Sequence, residues 1–201
     1  EISDKLLQLI SAKQIICPHL HIPLQSGDDK ILRLMNRNYD SSYYRSLIRN
    51  IAASVENICL GVDVMVGFPG EGDAEFKNTC QLLEELPVSY LHVFPYSDRP
   101  GTAASNLPGK VSEKTKKERA LILRHLGVRK KETFASRFLG EKMKVLVEKA
   151  KDKKTGFYKG FSENYLQILL PEDDASSINN IIEVRVDKYQ EGKLYGKNIS
   201  G

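Results

Sequence analysis

Three short stretches of this chain place hydrogen-bonding or stacking side chains beside glycines that let a ligand approach the backbone. The first closes the run His21-Ile-Pro-Leu-Gln-Ser-Gly27, where the amide of Gln25, the hydroxyl of Ser26 and Gly27 can together hold a ribose or a carboxylate. The second is Gly67-Phe-Pro-Gly-Glu71. Its bend, through Gly67, Pro69 and Gly70, exposes backbone groups at the start of a helix, where anions and nucleotide edges are often held. The third, Tyr90-Leu-His-Val-Phe-Pro-Tyr-Ser97, ends in Tyr96 and Ser97 and runs into Arg99-Pro-Gly-Thr102. Phe94 and Tyr96 share a face there and suit a nucleobase. Each stretch taken singly has a plainer alternative: a β-to-α turn, a glycine turn with Glu71 as the helix-start charge, or aromatic packing. Asp63 interrupts the apolar run 60–66 and is either a ligand contact or a satisfied buried anion.

The elements that position these stretches follow from periodicity. Residues 2–12 read as a helix and residues 15–22 contain a strand. Helices follow over 28–35 and from about Asp40, Ser41 or Ser42 onward, with Tyr44, Leu47, Ile48, Ile51 and Val55 on one stripe. Residues 59–66 form a strand whose near-continuous apolar character suits a parallel sheet. A helix over 74–86 is ended by Pro87, and a third strand covers 90–94. Alternating strands and helices make a parallel crossover unit. All three chemical stretches therefore sit at carboxyl ends of strands, where β/α barrels carry their sites. One long basic helix covers 112–138, with Ser112 as its cap. Beyond Gly140 the period becomes two, and strands at 143–148, 157–161, 165–170, 181–186 and 194–199 imply a small β-barrel. The acidic run Glu172-Asp-Asp174 belongs to a turn of that barrel. The expected domains are 1–138 and 139–201.

The formal net charge of +4 is an average over unlike segments. Residues 1–108 hold nine Lys/Arg against thirteen Asp/Glu, residues 109–140 ten against three, and residues 141–201 eleven against ten. A concentrated positive stripe serves phosphate binding, or is simply a solvated helix face. No apolar run is long enough for a membrane helix and no signal peptide is recognisable, so a membrane partner is not expected. Cys17, Cys59 and Cys80 are dispersed and read as free thiols in a reducing cytoplasm. His19 and His21 form an H-x-H pair, but no carboxylate or further His lies near them in sequence. Packing or hydrogen bonding is the favoured reading, and no metal ligand is expected.

The runs HIPLQSGDDKILRLMNR, GVDVMVGFPGE and YLHVFPYSDRPGT resemble the second half of a radical-SAM methylthiotransferase, nearest the branch acting on threonylcarbamoyladenosine beside the tRNA anticodon. The resemblance implies an α/β fold. It would be the C-terminal half of a radical-SAM β/α partial barrel, followed by a small all-β barrel similar to the OB-like, RNA-binding TRAM module. It implies S-adenosylmethionine and iron–sulfur clusters as cofactors of the parent enzyme and tRNA as its partner. It also implies that Gln25, Ser26, Gly27, Arg37, Asp63, Gly67, Pro69, Gly70, Glu71, Tyr96 and Ser97 line the cofactor. Arg37 would meet the methionine carboxylate; it could equally be a surface cation near a helix end. Lys130, Lys131, Phe157, Tyr158, Lys159 and Tyr165 would meet RNA, since aromatic and basic side chains interleave there. The family's CxxxCxxC motif does not occur in these residues. With no initial Met, the chain is expected to be an inactive piece of a longer enzyme. Two other readings are a β/α-barrel enzyme for a phosphorylated small molecule and a non-catalytic RNA-binding protein.

Overall fold

A computed structural model describes residues 2–12, 16–171 and 177–200. The acidic run at 172–174 and the start of the first predicted strand lie outside the described residues. The chain forms two compact units, one of Leu20–Ser54 and Leu60–Lys130, the other of Glu1–His19, Val55–Cys59 and Lys131–Gly201.

The first unit is built on a three-stranded sheet of order β1 (His19–His21), β2 (Cys59–Val66) and β3 (Tyr90–Pro95). β2 and β3 are parallel, with Asp63 opposite His92 and Met65 opposite Phe94. On β2, Val62, Val64 and Val66 are fully buried, while Asp63 and Met65 occupy the other, more open face. The helices α2 (Asp29–Leu34), α3 (Ser41–Ser54) and α4 (Asp73–Glu85) supply much of the remaining apolar core, including Ile31, Tyr44, Ile48, Ile51 and Leu83. Their starts obey local chemistry. The Asp28 side chain accepts from Lys30 N and Ile31 N, and Asp40 accepts from Tyr43 N, which decides which of the three candidate residues caps α3. Tyr44 reaches through the core to donate its hydroxyl to the Ile22 carbonyl at 2.6 Å. Burial raises the pKa of that phenol.

The second unit contains α1 (Asp4–Ser11) and a closed five-stranded barrel in the order β4-β5-β6-β8-β7. Its strands are β4 (Lys142–Lys151), β5 (Tyr158–Ser162), β6 (Gln167–Leu170), β7 (Ile181–Gln190) and β8 (Lys193–Asn198). Alternation sends Val145 and Val147 of β4 and Val184 and Val186 of β7 inward, while Ile168, Leu169 and Leu170 of β6 are all buried. β4 and β7 run longer than the apolar pattern predicts, because both continue as polar strands past the barrel core, each through a register shift. β6 starts later than predicted. Tyr165 adopts φ +67° inside a tight turn in which its N–H bonds the Ser162 carbonyl, so pairing begins only at Gln167. The long helix α5 (Glu113–Ser136) is capped by Ser112, whose hydroxyl accepts from Thr115 N. Among the described residues, no helix is long and apolar enough to cross a membrane.

Candidate functional site

The glycine loop after β2 is held from below by a buried ion pair. Gly67 has φ +74° and donates its N–H to Glu71 Oε1 at 2.7 Å. Arg119 of α5 donates to that same oxygen at 2.8 Å, to the Glu71 carbonyl at 2.9 Å and to Asp73 at 2.7 Å. Glu71 Oε2 is buried without a hydrogen-bond partner. Burial, opposed by Gly67 and Arg119, raises the Glu71 pKa above the ordinary carboxylate value. Gly70, at φ +90°, donates to the Gly109 carbonyl. A side chain at Gly67 would strike the Lys116 stem, with Cβ 2.3 Å from its Cγ. Pro69 is buried within the loop. Glu71 thus fixes the loop's shape instead of facing solvent, and Arg119, one of many cations in a predominantly basic helix, is its counter-ion.

The end of β1 is docked just as firmly. Gln25 takes φ +68° and bridges to β2: its N–H bonds the Asp63 carbonyl and its own carbonyl accepts from Met65 N. A left-handed non-glycine residue at a strand end is a strained position of the kind that gathers at functional sites. Ser26 is fully buried, its hydroxyl 3.3 Å from that of Thr79, and Gly27 N donates to Thr79 Oγ1 at 3.0 Å. A Cβ on Gly27 would lie 2.6 Å from Thr79 Cα. Ser26 and Gly27 therefore seat the strand end on α4, and of the trio Gln25 is the more exposed. Arg37 is exposed just past α2, where its N–H bonds the Leu32 carbonyl after Asn36 turns left-handed.

At the end of β3, Tyr96 continues the parallel pairing by donating its N–H to the Val66 carbonyl. Its ring meets Phe68 edge-on at 5.2 Å, and the Lys116 ammonium lies 5.3 Å from its centroid. Met65, Phe94, Tyr96, Ser97, Arg99 and Thr102 help line a cleft of about 450 Å3. The structure thus gathers Tyr96 and Ser97 in one concavity, beside the buried loop 67–71.

A constellation invisible to linear reading occupies the open face of the same sheet. Asp63 Oδ1 lies 2.8 Å from His21 Nε2 and 3.4 Å from His92 Nδ1. The other His21 nitrogen, Nδ1, is 3.2 Å from the Tyr90 hydroxyl. Gly61 makes room for this, because a Cβ there would fall 2.2 Å from the Tyr90 ring and 2.7 Å from His21 Nδ1. The carboxylate and the second imidazole, absent from the sequence around His21, come from the neighbouring strands. The register of a parallel sheet is the signal that could have found them.

In the other unit, Tyr165 is 58% exposed and stacks on His19 with ring centroids 4.7 Å apart, and on Phe161 at 5.1 Å. Tyr158 is buried, with the Lys151 ammonium 4.7 Å from its ring, while Phe157 and Lys159 are half-buried. Lys131 is exposed. Lys130, which belongs to the sheet unit, is held by internal partners. Its ammonium donates to the Glu84 and Leu86 carbonyls, ending α4, and partial burial lowers its pKa.

Residues 2–83 match the Radical SAM superfamily. Over 147 residues (73% of this chain, 36% of the relative) the chain is 42% identical to the threonylcarbamoyladenosine tRNA methylthiotransferase MtaB of Aquifex aeolicus. It is 36% identical to the MtaB of Rickettsia prowazekii over 194 residues, 96% of this chain and 44% of that one. The chain belongs to the radical-SAM methylthiotransferase family. A second branch of the family is nearly as close. The tRNA-2-methylthio-N(6)-dimethylallyladenosine synthase of Pseudomonas fluorescens is 34% identical over 199 residues, 99% of this chain and 45% of the relative. The chain spans less than half the length of these relatives.

The cofactors of a radical-SAM methylthiotransferase can be tested against the residues present. Cys17 is exposed, Cys59 buried and Cys80 half-buried, and burial raises the Cys80 pKa. Among the described residues, no group of three metal-ligating side chains includes a cysteine. These thiols do not fit an iron–sulfur cluster. The strand ends do fit S-adenosylmethionine: the strained Gln25, the bent glycine backbone of 67–71 and the aromatic wall at Tyr96 offer a side-chain amide, close backbone approach and a stacking surface.

Proposed function

We propose that this chain is part of a tRNA methylthiotransferase that converts threonylcarbamoyladenosine beside the anticodon to its 2-methylthio derivative. In this reading it carries one wall of the S-adenosylmethionine site and a TRAM-like, RNA-binding barrel, works in the cytoplasm, and lacks turnover by itself. The observation that carries the proposal is the arrangement of one sheet. The strand ends at Gln25 and at residues 67–71 are braced from behind by Thr79 and Arg119, and the end at Tyr96 opens a cleft of about 450 Å3. When bound, S-adenosylmethionine supplies hydrogen-abstracting radical chemistry. The residues of this chain orient and enclose it. Gln25 and the backbone of 67–70 meet polar edges, Tyr96 and Ser97 flank the adenosine, Asp63 lies on the adjoining face, and Arg37 is free to approach a carboxylate. The iron–sulfur clusters would be held by cysteines other than Cys17, Cys59 and Cys80. Lys131 near the end of α5 and Phe157, Lys159 and Tyr165 of the barrel supply charge and stacking to unpaired bases. Tyr158 supports them from inside, and Lys130 anchors the end of α4.

Calorimetric titration with S-adenosylhomocysteine, a stable analogue, tests the cofactor wall. Gln25→Ala and Tyr96→Ala are expected to weaken binding at least about tenfold, the loss of one buried hydrogen bond or stacking contact. Unchanged affinity in both variants would remove the sheet from the site. Preference for anticodon stem-loops carrying threonylcarbamoyladenosine over those carrying dimethylallyladenosine decides between the two family branches.

A further inference from the structure

We propose that His21, Asp63 and His92 form a binding site for one divalent transition-metal ion, separate from any iron–sulfur cluster. They are the one group of three potential ligands found among the described residues, and their ligand atoms all lie within 4.8 Å of one another. In a tetrahedral or octahedral site with bonds of about 2.1 Å, neighbouring ligand atoms stand roughly 3.0–3.4 Å apart, so the present separations need only small side-chain rotations to close. Two imidazoles and one carboxylate on one side of an ion make a facial set that leaves further positions open to water or substrate. That donor set selects Zn2+, Fe2+ or Co2+ over Mg2+ and Ca2+, which prefer all-oxygen shells.

Three features of the surroundings agree with this. The ligands come from three adjacent strands, with Asp63 and His92 directly paired in register, so the backbone holds them rigidly. The side chains of His21, Asp63 and His92 are 28%, 26% and 54% exposed, which gives an ion a path from solvent. Finally, His21 has an outer partner. With Nε2 turned to the ion, Nδ1–H can donate to the Tyr90 hydroxyl at 3.2 Å, fixing the ring's tautomer and orientation. Gly61 keeps the space in which that contact is made. The close approach of His21 and His92 to Asp63 is thus already present without an ion. The inference does not depend on S-adenosylmethionine or RNA binding.

The test uses the full chain without a polyhistidine tag, stripped with a chelator and titrated anaerobically with Co2+. One equivalent is expected, with visible d–d absorption, displaced by one equivalent of Zn2+ and untouched by millimolar Mg2+. Asp63→Asn and His92→Gln should abolish the bands, and Tyr90→Phe should weaken Zn2+ binding about 10–100-fold. His125→Gln and Cys17→Ser should leave the titration unchanged. His92 is the exposed ligand, so His92→Gln remains informative should Asp63→Asn fail to fold. Binding that survives in His92→Gln, binding that disappears in Cys17→Ser, or less than a fifth of an equivalent bound to the unaltered chain would overturn the assignment.

Discussion

The parallel sheet and the five-stranded barrel use the alternation of a β-strand for different ends. On β2 the valines at 62, 64 and 66 go into the core, and the opposite face carries Asp63 between His21 and His92. In the barrel the inward positions are apolar, as at Val145, Ile168 and Val184, and the barrel closes on itself, so its polar strand side chains face outward. The sheet can therefore place polar groups on a rigid floor and braced strand ends, whereas the barrel offers recognition from its outer surface, as Tyr165 does. Polar burial follows the same division. The sheet unit buries a charged pair under its glycine loop, and the barrel buries the small Ser162–Asn164 hydrogen bond at a turn.

The largest expected effect breaks the sheet side of this comparison. Glu71→Ala leaves the Arg119 guanidinium buried with its main partner gone and frees Gly67 N–H, and the cost should be about 3–5 kcal/mol in chemical denaturation. Its pH signature is separate. The folded Glu71 pKa is raised, so the folded state binds the proton more readily than the unfolded chain. The stabilisation from this titration is complete below the ordinary glutamate pKa and is lost as pH rises through the raised value. Removing Glu71 should flatten that decline.

Gly160→Ala probes the barrel side. The new Cβ would stand 2.4 Å from Val145 Cγ1 and 3.1 Å from the Leu146 carbonyl, and overpacking of this kind costs about 1–3 kcal/mol. The melting temperature should fall without any change in Co2+ or S-adenosylhomocysteine binding. Tyr165→Gly should do the reverse. Glycine accepts φ +67° without strain, so stability should stay within about 1 kcal/mol, while tRNA affinity drops by about 1–3 kcal/mol if the ring stacks on a base. Unchanged tRNA affinity in a filter-binding assay would take Tyr165 out of the RNA surface.

Most elements of both units could be read from periodicity, because apolar spacing and caps act locally: β2 and the Ser112 cap stand where the pattern puts them. What the pattern could not give were pairings across elements. Thr79 beneath Gly27, Arg119 beneath Glu71 and Asp63 between two histidines are separated by tens of residues. The same gap affects the basic helix. Lys116 and Arg119 look like parts of a phosphate-binding stripe, yet both are buried, one over Tyr96 and one against Glu71. Charge counts along a sequence do not record which cations are spent on internal partners.

The smallest expected effect concerns a turn that ties the barrel together. Asp152 accepts from Thr155 N and its hydroxyl, and its second oxygen meets Lys193 Nζ at 2.7 Å, linking the turn after β4 to β8. The Lys193 hydrogen bond, ahead of those from Thr155, holds the Asp152 pKa well below the usual carboxylate range. The sign is opposite to that of Glu71. The folded state here binds the proton less readily than the unfolded chain, so the contribution is present above the ordinary aspartate pKa and is lost as pH falls below it. Asp152→Asn keeps the acceptor for Thr155 but removes the charge facing Lys193. Melting temperatures followed by circular dichroism from pH 7 to pH 3 should differ by a few degrees at neutral pH, and the difference should begin to narrow only below the ordinary aspartate pKa. A constant difference across that range would show that Asp152 acts only through turn geometry and that its charge contributes nothing to the barrel.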